Sequence, residues 1–150
     1  MSLQTRLMED MKRAMKDKEA GKFRLSVIRM VRASIKNVEI DKRRELSDDD
    51  VLEILAREVK MRRDAGEEFA KAGRDDLAQS AQAEVAVLVE YLPKQLGADE
   101  VRQLVREVIA QVGAVTDKEL GKVMSALMPK VKGKADGRMV NTIVREELTK

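Results

Sequence analysis

The chain has 150 residues, 43% of them hydrophobic and 38% charged, with a formal net charge of +3. That apolar content is enough to fold, and the length is enough to bury about 70% of the surface an unfolded chain exposes. There is no Cys and no His, which excludes disulfides, Cys- or His-ligated zinc, Cys nucleophiles and Ser-His-Asp catalysis.

Phe23, Phe69 and Tyr91 are the only aromatic residues. The core must therefore be aliphatic, helped by nine Met residues that adapt to gaps between helices. Charge is spread unevenly. Residues 6–44 hold 13 basic and 6 acidic side chains, a net +7. Residues 45–117 hold 9 basic and 17 acidic, a net −8, and residues 118–150 hold 8 basic and 4 acidic, a net +4. Two basic ends flank an acidic middle. That layout attracts a polyanion to the ends or pairs the segments with one another.

Ser2 caps a first helix carrying Leu3, Leu7, Met11 and Met15 on one face, and Gly21 breaks it. A second helix carries Leu25, Ile28, Val31, Ile35 and Val38, with Arg24, Arg29, Arg32 and Lys36 on its other face. These cations either bind an anion or pair with the acidic middle. Residues 41–46 read as a loop. Ser47 followed by Asp48, Asp49 and Asp50 is a helix start, with acids at the positive end of the helix dipole. Three successive carboxylates diverge around a helix, which argues against a metal cluster.

The third helix buries Val51, Leu55 and Val59. It then turns polar all round from Lys60 to Ala72, where (i, i+4) pairs such as Arg63 with Glu67 would hold it. This stretch is expected to project from the body. Gly73 ends it, and Asp75 or Asp76 starts a fourth helix with Leu77, Ala81, Val85, Leu88 and Leu92. Pro93 and Gly97 mark a boundary. Beyond it come three shorter helices. The first carries Val101, Leu104, Val105, Val108 and Val112 and ends at Gly113. The second starts at Thr116 in a capping box with Glu119, carries Leu120, Val123, Met124 and Leu127, and ends before Pro129. The third is capped by Asp136 and carries Met139, Val140, Ile143, Val144 and Leu148.

No segment alternates with period two. The expected fold is all-α, with a larger N-terminal helical domain over residues 1–92 and a small three-helix C-terminal domain over residues 97–150. Residues 1–20 carry charges throughout and do not read as a signal peptide. No run approaches the ~20 apolar residues that span a bilayer. A cytoplasmic protein without membrane contact is the expectation.

The glycines form no phosphate-cradling motif, and no catalytic residue, metal ligand or cofactor site is expected. The positive signal is the linker from Met128 to Arg138. Lys130, Lys132 and Lys134 alternate there, and in an extended loop they would share a face. Gly133 and Gly137 allow close backbone approach, and the linker leads into a helix N-terminus that favours an anion. Lys122 and Arg138 widen the patch. Two readings stay open: contact with nucleic-acid phosphates, or a solvated basic loop. With no aromatic residue to stack a base, backbone contact and shape recognition are favoured over base readout.

The chain resembles the YqeY-like proteins over essentially its whole length. The resemblance rests on Leu7-Met8-Glu9-Asp10-Met11-Lys12, on Ile35-Lys36-Asn37-Val38-Glu39-Ile40-Asp41 and on Ala72-Gly73-Arg74-Asp75-Asp76-Leu77-Ala78. It continues through Glu90-Tyr91-Leu92-Pro93-Lys94-Gln95-Leu96 and Gly121-Lys122-Val123-Met124. It ends in Met128-Pro129-Lys130, Gly133-Lys134-Ala135-Asp136-Gly137 and Val140-Asn141. One departure is Gly97, where the family pattern has a capping Ser.

This family shares its C-terminal region with the tail domain of the GatB subunit of glutamine-dependent tRNA amidotransferase. The resemblance implies an all-α, amidotransferase-like accessory protein whose tail-like domain contacts tRNA or another structured RNA. Lys122, Lys130, Lys132, Lys134 and Arg138 would be the phosphate contacts, with Asn141 a further polar one. The family label of carbon–nitrogen ligase activity with glutamine as amido-N-donor needs an amidase subunit with a Ser-Ser-Lys arrangement. This chain has six scattered Ser residues and no Gly/Ser-rich stretch. The label therefore reads as inherited through the shared tail. The alternative is a helical protein–protein adaptor that uses the polar stretch Lys60 to Ala72.

Overall fold

The computed structural model describes residues 1–149, and every regular element among them is helical. The α-helices are α1 (Leu3–Lys16), α2 (Lys22–Lys42), α3 (Asp48–Lys71), α4 (Asp75–Val89), α5 (Ala98–Val112), α6 (Leu120–Val131) and α7 (Gly137–Leu148). Single 3-10 turns lead into α2 and α6. The chain divides into two compact units, Met1–Leu92 and Pro93–Lys150.

In the first unit the apolar stripes of α1 to α4 converge on one core. Leu7, Val27, Ile28, Val31, Ile35, Val51, Leu55, Val59, Leu88 and Tyr91 are all buried in it. Met15 does not join them and is half exposed. Ala14 is buried instead, at the α1–α2 connection, where Gly21 lies against the Ala14 backbone and no side chain larger than that of Gly fits at position 21. The predicted loop over 41–46 is shorter than expected, since α2 runs on to Lys42 and Arg43 closes it in the left-handed region at φ 53°.

The start of α3 follows the sequence closely. Ser47 Oγ accepts from the Asp50 amide at 3.2 Å, and the Asp50 carboxylate accepts from the Ser47 amide at 3.1 Å. Asp48 accepts from the Leu3 amide at 3.0 Å, so one acid of the run stitches α1 to α3. Arg44 pairs with Asp50 at 2.8 Å. The Arg44 bond, then the two Ser47 bonds, hold the Asp50 carboxyl well below the usual carboxylate range.

A carboxyl held low in the folded state stabilises the fold fully above its unfolded value of about 4, and that contribution is lost as pH falls through the folded value. Asp50→Asn is therefore expected to melt below wild type at pH 7. The gap should close progressively below about pH 4, in thermal melts followed by circular dichroism.

The polar half of α3 is not a lone arm. It pairs along α4, with Gly66 facing Ala81: a Cβ built on Gly66 would lie 3.4 Å from the Ala81 Cβ. Arg62 seals the same seam, bonded to Glu58 one turn back and to Glu84 of α4 at 3.0 Å. With its side chain 11% exposed, Arg62 is an internal strut rather than a solvated charge.

At the end of α4, the Tyr91 hydroxyl donates to Asp10 at 2.5 Å, while Arg6 lies 4.5 Å over the ring. Burial first, and the Asp10 carboxylate second, push the phenol pKa well up. Arg24 pairs with Glu90 at 2.6 Å, so one member of the basic face of α2 is answered by the acidic middle segment.

The second unit packs α5, α6 and α7 around Val101, Val105, Val108, Val123, Leu127, Val140, Ile143 and Val144. Gly97 precedes α5 in an extended conformation, and Gly113 closes the helix at φ 70°. The expected capping box at Thr116 does not form. Asp117–Glu119 is a 3-10 turn without a Thr116 side-chain bond, and Glu119 instead accepts from the Val115 amide at 3.4 Å. Arg102 of α5 grips Glu146 at 2.8 Å and Glu147 at 2.7 Å, and so fixes the end of α7.

Candidate nucleic-acid interface

The basic segment is built differently from the extended linker that alternation suggested. Helix α6 continues through Pro129 and Lys130 to Val131. Proline's fixed φ is compatible with helix; what it lacks is the N–H. Val131 is 2% exposed, and its place in the core carries the helix past the proline. Lys130 is thus on the last turn of α6, and Lys132 closes that helix with its amide on Met128 O at 2.9 Å. Gly133 then turns in the left-handed region at φ 73°. The three lysines are carried by a helix end and a tight turn, not by an alternating strand.

The turn is pinned from the segment preceding α5. The Leu96 amide donates to Lys134 O at 2.7 Å, and Gln95 Nε2 donates to Gly133 O at 2.9 Å and to Pro93 O at 2.8 Å. Hydrophobic patterning gives no signal for Gln95. Only its place in Glu90-Tyr91-Leu92-Pro93-Lys94-Gln95-Leu96 singles it out. Lys122, Lys130 and Lys132 are exposed, Lys134 is half-buried and Arg138 is exposed at the start of α7. Lys122 sits two turns before Lys130 on α6, about 12 Å along the axis.

One expectation needs correction, and Asn141 takes a defined place beside it. The N-terminus of α7 is not an open anion site, because the Asp136 carboxylate accepts from the Arg138 amide at 3.3 Å and fills that position. Asn141 is half-buried, with its Oδ1 accepting from Arg145 Nε at 2.7 Å, so its carbonyl oxygen serves α7 itself.

A family model for the YqeY-like proteins matches residues 4–148. The chain belongs to the YqeY-like family. Among curated proteins it is similar to "Altered inheritance of mitochondria protein 41, mitochondrial" from three fungi. The Pyrenophora tritici-repentis protein is 29% identical over 144 residues, 94% of this chain and 78% of its own length. The Meyerozyma guilliermondii protein is 34% identical over 122 residues, 76% and 62% of the two lengths. The Eremothecium gossypii protein is 39% identical over 87 residues, 57% and 46% of the two lengths.

These names overturn the cytoplasmic expectation, since every one of these relatives is named as a mitochondrial protein. The expectation rested on the charged N-terminal residues and the lack of Cys, and neither distinguishes the cytoplasm from another reducing compartment. No helix among the described residues is long and apolar enough to cross a membrane.

Proposed function

We propose that this YqeY-like protein is an accessory protein that binds tRNA or another structured RNA through the α6–α7 turn. In this reading residues 1–92 form the larger helical domain, and residues 97–150 form a small domain related to the amidotransferase tail. The observation that carries it is the pinned turn. Backbone bonds from Gln95 and Leu96 hold Gly133 and Lys134 in place, which fixes the backbone that bears Lys130, Lys132 and Lys134. A preorganised cationic turn loses less entropy on meeting a phosphate backbone than a mobile loop does. Lys122 and Arg138 extend the contact, and Asn141 contributes by orienting Arg145. The chemistry of any amidotransfer would belong to other subunits.

Binding of this kind releases counterions and falls steeply with salt. In mobility-shift titrations with total tRNA, raising salt from 50 to 200 mM is expected to weaken binding about 10²-fold or more. The Lys130→Ala, Lys132→Ala, Lys134→Ala variant should lose most of the low-salt affinity and flatten the salt dependence by about three contacts. Wild-type binding that ignores salt, or is absent at low salt, would sink the proposal. A stoichiometric protein partner recovered without RNA would favour the adaptor reading.

A further inference from the structure

The basic face of α2 is not fully absorbed by the acidic middle of the chain. Arg24 finds Glu90. Among the described residues, Arg32 donates only to the Met11 thioether, at 3.0 Å, and Lys36 has no ion-pair partner. A thioether is a weak acceptor, so the half-buried Arg32 guanidinium keeps N–H donors that are open to solvent and available to an anion. Arg32 and Lys36 are four apart on one helix face, a like-charge pair that is unfavourable until an anion relieves it.

Both cations line a cavity of about 140 Å³ between α1 and α2, with Gln4, Leu7, Ile35 and Glu39. Leu7 and Ile35 are buried, at 1% and 3% exposure, and give the cavity a floor of low polarisability that strengthens charge pairing above it. Glu39 also lines the cavity, one carboxylate against two cations, and among the described residues it makes no ion pair with either. Its Oε2 accepts from the Leu46 amide at 3.2 Å and from Gln4 Nε2 at 3.2 Å, which commits that oxygen to the α2–α3 connection.

We infer that this cavity is a phosphate-binding site, with Arg32 as the forked donor and Lys36 as the second cation. The guanidinium fork matches tetrahedral oxyanions, and the ammonium adds a point charge at the rim. The cavity lies below the ~300–1,000 Å³ of pockets that hold drug-sized ligands. It takes a phosphate group alone, supplied either as a free phosphate or phosphomonoester or by a nucleic-acid backbone. The site lies in the first unit and shares no residue with the α6–α7 turn, so it stands or falls separately from the RNA proposal.

The test is a titration of the full chain with inorganic phosphate at constant ionic strength, followed by ¹H–¹⁵N spectra that include the Arg Nε–Hε signals. Saturable shifts at Gln4, Arg32, Ile35 and Lys36 are expected. Arg32→Gln should weaken binding at least tenfold and Lys36→Gln severalfold, while Arg29→Gln, exposed on the same helix, should bind as wild type. A second arm uses a dephosphorylated RNA hairpin, which offers only phosphodiesters. Shifts at the same residues assign the site to a nucleic-acid backbone, and silence there beside phosphate binding assigns it to free phosphate or a phosphomonoester. Equal shifts with chloride, unchanged affinity in both Arg32→Gln and Lys36→Gln, or silence in both arms overturns the inference.

Discussion

Gly21→Ala is expected to lower the stability of the first unit by about 3 kcal/mol or more, at the upper end of overpacking effects. A Cβ at that position would lie 2.1 Å from the Ala14 carbonyl oxygen, 2.8 Å from its carbon and 2.9 Å from its Cα. All three are backbone atoms, so no rotamer change relieves the clash and α1 must shift against α2. The backbone at Gly21 has φ −97°, which any residue adopts, so the effect is steric and not conformational. Since whole domains are stable by only about 5–15 kcal/mol, the loss should be visible as a marked fall in urea midpoint. Gly121→Ala is the matched control. Nothing lies within 4 Å of its added Cβ, and Gly121 is the second residue of α6, so the midpoint of Gly121→Ala should stay at or slightly above that of wild type. A midpoint for Gly21→Ala equal to wild type would contradict the close approach of α1 and α2.

Gly21 also shows where sequence reading stops. Its punctuation between two helices was legible, but its reason was not, because a close approach depends on the partner helix. The periodic stripes were the legible part. Ile28, Val31 and Ile35, then Val51, Leu55 and Val59, then Val101, Val105 and Val108 recur at helical spacing and are buried. Local caps were legible where a side chain closes on its own helix, as at Ser47 and Asp50.

Long-range partners were not legible. Tyr91 with Asp10, Arg24 with Glu90, Arg62 with Glu84 and the Leu3 amide with Asp48 join residues far apart in sequence, and composition cannot choose among many equivalent charges. The polar half of α3 misled for a related reason. Its contact with α4 uses Gly66, Ala78 and Ala81, which carry little weight in a hydrophobic pattern, yet they let two backbones come close. Within the candidate interface, the cations were visible and their geometry was not, because Pro129 reads as a stop while the burial of Val131 keeps the helix going.

Leu127→Ala is expected to unfold the second unit rather than merely weaken it. Leu127 is fully buried, and it is the largest side chain of the α5–α6–α7 core that is so completely enclosed. Cutting a buried Leu to Ala costs about 2–5 kcal/mol, the transfer of the lost methyls plus the cavity left behind. A hydrophobic core in a unit below ~70 residues supplies only about 3–5 kcal/mol, and Pro93–Lys150 is such a unit. No disulfide adds to it, since the chain has no Cys. The cost therefore matches the whole stability available. Met128 is the neighbouring control: it is 41% exposed, so Met128→Ala should cost far less. Amide hydrogen exchange separates the outcomes. In Leu127→Ala the amides of α5, α6 and α7 should lose protection, while those around Leu7, Val31 and Leu55 keep theirs, because the two units have separate cores. The RNA binding proposed for the α6–α7 turn provides a second readout. The turn carrying Lys130, Lys132 and Lys134 is fixed only while Gln95 and Leu96 hold Gly133 and Lys134. Loss of the fold beneath it should reduce tRNA affinity toward that of the triple lysine variant even though every lysine is retained. Protected α5–α7 amides together with full tRNA affinity would show that the Leu127 core does not support the turn.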